Sequence, residues 1–429
     1  VMRQTNWAEN QIFEVERISY PKTLLEIKTL IQAAVKNKRI IRPVGKLHSW
    51  TPLCNDASIL LNLSNMPDEL CMLSSRHLKC SAGVEISKMA DFLYQHDCSL
   101  PIMGDCSAQT IGGAVSTGTH GPSIYHQIVA NNVTAIKFID GKGETHSIDD
   151  KNPMFNAVRV SLGLMGVVTE IELSLVPAKH LQIEIQVQED DEWIPFIEED
   201  LQRHEFYFSY WYSHVNLALV HKGHTLETAV GSSISNTEPQ DEYLTEVISS
   251  LCPAVYKSGV GAKEFNELLF KLFFRNQTIQ GPLHKALVAD WQGRPILNAE
   301  YFVPKEKARL IFEGAKAIDY PEPVFVAIRG GIKADDNWMS PAYKRDSVAI
   351  GCVVFCSPFG SEMPRSLRLF NDFMHQCDAR PQWAKWCDHE HMDLSKHFPK
   401  LDDFLKLREH YDPHNVFLTS ALRKILKVN

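Results

Sequence analysis

The chain has 429 residues, 44% hydrophobic, 22% charged and 10% aromatic, with 44 Lys and Arg against 52 Asp and Glu for a net charge of −8. That composition excludes wholesale disorder and collagen-like architecture, and a mildly acidic chain without a basic block is not expected to bind nucleic acid. At about 150 residues per domain the length suggests two or three domains. No window approaches ~18 uninterrupted apolar residues, so no transmembrane helix is expected. The start, Val1-Met2-Arg3-Gln4-Thr5, does not have the pattern of a signal peptide. The ten cysteines are scattered, with no Cys-x-x-Cys, and read as reduced thiols. A cytoplasmic location is the expectation.

In chain order, Tyr20-Pro21-Lys22-Thr23 ends an extended piece and opens a helix with the apolar stripe Leu24, Leu25, Ile27, Leu30, Ile31 and Val35. Arg39 to Val44 follows as a strand and runs into the turn Gly45-Lys46-Leu47-His48-Ser49. Residues 59–63 and 77–83 predict two short strands, and Ile86 to His96 an amphipathic helix. Beyond residues 104–121, Val133 to Asp140 and Thr145 to Ile148 read as a hairpin turned at Gly141-Lys142-Gly143-Glu144. Val167 to Val176 alternates as a strand and is closed by Pro177. After about residue 178, strands (Phe206 to Trp211, Leu217 to His221, Val324 to Arg329, Ser347 to Phe355) mix with helices (Glu264 to Phe274, Lys305 to Ala317). Residues 224–248 read as a loop, and a last helix, Leu401 to His410, ends at Tyr411-Asp412-Pro413. The fold class is α+β, in two domains split near residue 178.

Residues 104–121 hold five glycines, several hydroxyl side chains and one charged residue, Asp105. Glycine lets backbone N–H groups approach an anion and hydroxyls add donors, which suits a pyrophosphate. The stretch is neither a Gly-x-Gly-x-x-Gly fingerprint nor a P-loop. The same composition also suits a tight turn packed on a neighbouring strand. His48, in a turn after a strand, reads either as a reactive group or as a hydrogen-bonded side chain.

Three motifs stand in order: Arg42-Pro43-Val44-Gly45-x-x-His48-Ser49, Gly112-Gly113-x-x-x-x-Gly118-Thr119-His120-Gly121, and Ser161-Leu162-Gly163-Leu164-Met165-Gly166-Val167-Val168-Thr169-Glu170. Together they resemble the FAD-binding domain of the vanillyl-alcohol-oxidase superfamily. Asn6-Trp7-Ala8, Trp338-Met339-Ser340-Pro341-Ala342-Tyr343, Arg380-Pro381-Gln382-Trp383-Ala384-Lys385 and Tyr411-Asp412-Pro413 make the chain similar to its aldonolactone and alditol (sugar-alcohol) oxidases. The resemblance implies a two-lobed FAD-binding domain over residues 1–178 and an α+β cap with an antiparallel sheet over 179–395. Residues 396–429 would return to the FAD domain. It implies FAD, joined covalently through His48. The cofactor would lie along Arg42, Pro43, Val44, Gly45, Lys46, Leu47, His48 and Ser49, then Gly112, Gly113, Ser116, Thr117, Gly118, Thr119, His120 and Gly121, with Gly163, Gly166, Val167 and Val168 bordering the adenosine half. Gly104 would stand beside the reactive flavin carbon, where glycine suits an oxygen-reactive oxidase. Asp105 stands where sugar-alcohol oxidases carry a hydroxyl residue.

The chain departs from the family pattern at several positions. Leu47 replaces the usual glycine before the linking histidine and makes the turn bulkier. The family's Glu-x-Arg on a cap strand reads Ala327-Ile328-Arg329, the next strand has Gly351-Cys352-Val353, and the His-Trp-Gly/Ala-Lys motif reads Gln382-Trp383-Ala384-Lys385. Arg329 and Lys385 are the catalytic candidates; the plain alternatives are a sheet arginine paired at the surface and a solvated lysine. With no carboxylate at 327, Arg329 should have an open anionic partner position, which predicts a substrate more anionic or less hydroxylated than a simple polyol. Cys387-x-His389-x-His391, with Cys377 upstream, has no regularly placed fourth ligand, so no metal is assigned. The expected activity is transfer of a hydride from an alcohol or lactone substrate to flavin N5, with oxygen reduced to hydrogen peroxide. The alternatives are a flavin dehydrogenase with another acceptor, and a flavin-binding protein with altered or lost catalysis because of Ala327.

Overall fold

A computed structural model of the chain describes residues 1–227, 250–254, 261–288, 296–355 and 361–429. Its first helix, α1 (Leu24–Lys36), starts where the sequence places it. The Thr23 hydroxyl accepts from the Glu26 N–H, and the Lys22 N–H donates to the Glu26 carboxylate. Ile27, Leu30, Ile31 and Ala34 are buried, at helical spacing, in one core with Ile41, Ile59 and Leu61. Leu24 and Leu25 are exposed, so the expected stripe is narrower at its start.

Strands β1 (Arg17–Ser19), β2 (Ile41–Val44) and β3 (Ile59–Asn62) form a parallel sheet in the order β1-β3-β2. Strands β4 (Cys71–Ser74), β5 (His77–Ser81), β6 (Val133–Ile139), β7 (Thr145–Asp149) and β8 (Val167–Ser174) form an antiparallel sheet in the order β7-β6-β8-β5-β4. β6 and β7 are the expected hairpin. Between these strands stand α2 (Ile86–Gln95) and α3 (Ile111–Thr117), and a single turn of helix at Phe155–Val158. α3 corrects the sequence reading, which left 104–121 without a helix. Thr110 caps it by accepting from the Gly113 N–H at 3.2 Å. Gly112 lies so close to β5's continuation that a Cβ would stand 2.8 Å from the Ala82 carbonyl oxygen. Tertiary packing therefore outweighs the poor helix propensity of Gly112 and Gly113.

The second half is built on one eight-stranded sheet: β9 (His180–Glu189), β10 (Phe206–Tyr212), β11 (Leu217–Thr225), β12 (Gln277–Pro282), β13 (Leu297–Pro304), β14 (Val324–Ile332), β15 (Ser347–Val354) and β16 (Arg380–Pro381). Its order is β12-β9-β11-β10-β14-β15-β13-β16, antiparallel throughout. The expected loop at 224–248 lies largely outside the described residues; its start, to Thr225, continues β11. The end of the chain returns to the first half. The Ile41 N–H donates to Val416 O at 2.8 Å, and the Gly141 N–H to Tyr411 O at 2.9 Å. No described helix is long and apolar enough to cross a membrane. Eight described cysteines are free thiols, whereas Cys252 is disulfide-bonded. That corrects the expectation of an all-thiol chain: spacing along a sequence does not report approach in space.

Candidate active site

One cleft runs between the two lobes of the first half and under the eight-stranded sheet. Arg42 to Ser49 line it without a gap, joined by Gly104, Asp105, Gly112, Gly113, Ser116, Thr117, Thr119, His120, Gly121, Gly163, Gly166 and Val168. Phe208, Tyr210, Leu287, Glu300, Arg329, Gln382, Ala384 and Lys385 close it from the other side. Two expected residues lie off the wall. Gly118 is the left-handed C-cap of α3, with φ of 75°. Val167 is fully buried because β8 alternates, turning Val168 outward and Val167 into the core.

The turn after β2 is fixed from several sides. Arg42 is buried and its guanidinium donates to the carbonyls of Leu162, Gly163 and Phe417. Leu47 has φ of 56°, the left-handed conformation that glycine adopts freely. The substitution thus keeps the path of the turn at a cost of roughly 1–2 kcal/mol. The Trp7 N–H holds Leu47 O at 2.7 Å, and the Leu47 side chain packs against the cluster of Phe13, Val15, Ala57 and Leu60. The His48 ring then stacks on Trp7, centroids 5.1 Å apart, and its Nδ1 lies 3.8 Å from Cys106 Sγ. An extended polar ligand fits this half of the cleft. Small residues border it along 112–117, and among the described residues the buried Asn55 Oδ1 on its wall has no hydrogen-bond partner.

The other wall is set by strand register. Tyr210 on β10 pairs with Ala327 on β14, Ala327 with Gly351 on β15, and Gly351 with Glu300 on β13. Directly paired residues share a face, so these four form one row across the sheet. Only an alanine and a glycine separate the tyrosine from the acid. Glu300 is 1% exposed, and His120 Nε2 donates to its Oε1 at 2.8 Å. Burial pushes the Glu300 carboxyl up, but His120 and Lys385 together override that and hold it below its ordinary value. Arg329 Nε stands 3.7 Å from Glu300 Oε2, its Nη2 pairs with Asp105, and its Nη1 donates to Tyr210 Oη at 3.0 Å. Burial lowers the Arg329 pKa to about 10. Lys385 Nζ sits 4.6 Å from the Trp50 ring centroid, and burial lowers its pKa while Glu300 opposes that shift.

This geometry corrects the expected opening at Arg329. Two carboxylates, Asp105 and Glu300, already balance it, so the missing acid at 327 leaves no anion-binding vacancy. Glu300 is the main residue that sequence reasoning missed; its signal is a lone acid inside the apolar run 297–304, to which no element was assigned. Gln382 was noted only as a replaced histidine. Its amide nitrogen donates to Thr117 O at 3.0 Å and ties the cap to the C-terminal end of α3. A Cβ on Gly104 would stand 2.8 Å from Thr119 Cγ2, so the bare position has a packing reason of its own. Cys387, His389 and His391 do not converge. Cys387 Sγ donates to Glu300 O, His389 stacks on Trp383, and His391 is exposed against Asp388.

Two family signatures cover the chain, an FAD binding domain over residues 15–149 and D-arabinono-1,4-lactone oxidase over residues 171–425. The chain is 25% identical over 438 residues to L-gulonolactone oxidase of Bos taurus, covering 98% of this chain and 97% of the relative. It is 23% identical over 438 residues to L-gulono-1,4-lactone dehydrogenase of Mycobacterium tuberculosis, covering 98% of each. The structure of cholesterol oxidase from B. sterolicum superposes with a TM-score of 0.77 at 14% identity, over 99% of this chain and 96% of that one, which shows a fold of the vanillyl-alcohol-oxidase type. With an FAD-binding signature in front and the lactone-oxidase signature over more than half of its length, the chain belongs to the D-arabinono-1,4-lactone oxidase family of FAD-dependent oxidoreductases.

Proposed function

We propose that the protein oxidises a CH–OH group of a neutral, polyhydroxylated aldonolactone, with oxygen as acceptor and hydrogen peroxide as product. Residues 1–178 and 396–429 hold FAD, and 179–395 hold the substrate. FAD, when bound, supplies the hydride acceptor and the route to oxygen. The observation that carries the reading is the charge balance at Arg329. A guanidinium already paired with Asp105 and Glu300 has spare N–H donors for a lactone carbonyl but would set a substrate carboxylate against two others. Relatives named for lactones support the same class. Lys385, a half-buried cation at the same wall, stabilises negative charge that develops in the transition state. His48 is the attachment point for the flavin, and the left-handed Leu47 keeps its turn in shape.

The experiment is anaerobic addition of an aldonolactone, its ring-opened acid, or a sugar alcohol to the yellow holoenzyme, followed by air. The lactone should bleach the flavin, the acid should not, and air should restore the colour with release of peroxide. Bleaching by the acid in preference to the lactone overturns the reading. A second reading, transfer of electrons to an acceptor other than oxygen, is favoured by one observation: the Thr119 methyl fills the space beside Gly104. Slow return of colour in air, with fast return on adding a quinone, would select it.

A further inference from the structure

We propose that Glu300 is the base of the reaction, taking the substrate hydroxyl proton in place of an acid at residue 327. The inference rests on the alcohol oxidation proposed above. Glu300 belongs to the same cross-strand row as Ala327, two strands away, or roughly 9–10 Å between backbones at ordinary strand spacing. The two residues between Glu300 and Tyr210 are small, so the acid reaches the cleft unobstructed. A Cβ on Gly351 would lie 3.5 Å from the Glu300 Cβ, so a larger side chain there would crowd it.

The two carboxylate oxygens differ. Oε1 accepts from His120, whose other ring nitrogen faces Gly121 O at 3.2 Å. Oε2 lies 3.7 Å from Arg329 Nε, beyond hydrogen-bond distance, and among the described residues it accepts no hydrogen bond. A buried carboxylate oxygen on a cleft wall with spare acceptor capacity suits a substrate hydroxyl. The charged or titratable groups facing it are His120, Arg329, Lys385, Asp105 and Tyr210, drawn from the loop after α3, β14, the segment after β16, the loop before α3, and β10.

In the step, the hydroxyl O–H breaks and its proton goes to Oε2. The electron pair of that bond becomes the second C–O bond, while the neighbouring C–H pair leaves as hydride to the oxidised FAD. The carbon loses two electrons and the cofactor gains them. As hydride leaves, the hydroxyl becomes that of a protonated carbonyl, a strong acid, so a carboxylate held on the acidic side is base enough.

The test uses the holoenzyme variant Glu300→Gln. Flavin content and visible spectrum report loading, and the absorbance change on adding a lactone without the oxidisable hydroxyl reports affinity. Anaerobic stopped-flow reports reduction across pH. Loading should match wild type and affinity should stay within about fivefold, while reduction slows about a hundredfold or more. Wild-type reduction should also fall on acidification below the ordinary carboxyl range, a limb that Glu300→Gln lacks. Reduction of Glu300→Gln within threefold of wild type overturns the inference. If that variant does not accumulate, Glu300→Asp keeps the charge beside His120 but withdraws the oxygen. Reduction slowed about tenfold then supports the inference, and a wild-type rate overturns it. A wild-type flavin reduced by neither lactone nor sugar alcohol overturns the proposed activity, and this base with it. Normal wild-type reduction with an unimpaired Glu300→Gln overturns the base alone.

Discussion

Replacing Arg329 by methionine separates the charge reading from a purely structural one. The arginine has five N–H donors. Nη1 uses one on Tyr210, Nη2 meets Asp105, and Nε faces Glu300. The donors left over are the ones offered to a neutral carbonyl. One hydrogen bond to a charged donor contributes about 1.5–3 kcal/mol, or roughly 10- to 150-fold in Kd. The fold should survive the change. Asp105 is 39% exposed and returns to water at little cost, and Glu300 keeps His120 and Lys385. Arg329→Met should therefore load flavin normally and bind a non-oxidisable lactone at least about tenfold more weakly, read as the flavin absorbance change in a titration. The ring-opened acid should bind wild type less well than the lactone. A lactone affinity within threefold of wild type, or tighter binding of the acid, would refute the assignment.

Four further outcomes follow from the same geometry. Acid precipitation should leave the yellow colour with wild-type protein and release it from His48→Ala; flavin washing out of wild type would remove the covalent link. Gly104→Ala combined with Thr119→Ser, which clears the methyl 2.8 Å from the new Cβ, should slow reoxidation in air about tenfold and leave anaerobic reduction unchanged. Equal loss in both half-reactions would place Gly104 elsewhere. Lys385→Met should slow anaerobic reduction about 10²- to 10³-fold, and an unchanged rate would remove it from the site. Because the Glu300 carboxyl is held below its ordinary 4.5, its charge contributes stability that is fully present above that value and is lost as pH falls through the folded one. The thermal-unfolding advantage of wild type over Glu300→Gln should shrink as pH falls below the ordinary 4.5, and an advantage that widens on acidification contradicts the cause given.

Local features were legible in the sequence. Thr23 announces the start of α1, a glycine turn announces the β6–β7 hairpin, and alternation announces β8, although the resemblance sets Val167 on the cofactor where the strand buries it. The cofactor turn was legible through family resemblance, because the glycines of 104–121 divide between two physical roles. Gly112 borders the cleft while packing α3 on a strand, whereas Gly118 caps α3 off the cleft wall, and composition does not separate them. The Glu300 site was not legible. β13 precedes β14 in the chain but is separated from it in the sheet by β15, so the row joining Glu300 to Ala327 exists only once the strand order is known. Asp105 and Arg329, 224 positions apart, meet only when the two halves close.

Arg42 reaches across 375 residues to Phe417 O, and Ile41 binds Val416 beside it. At a ribosomal rate of roughly 5–20 residues per second, the first of these partners waits on the order of 20–75 seconds for the second to be made. During that interval the first half can collapse on its own core, but the strand leading into the His48 turn has an open edge and its arginine lacks one carbonyl. The turn is then completed by residues made long after it. A chain stopped short of residue 416 therefore lacks the partners that hold Ile41 and Arg42 at the floor of the cleft.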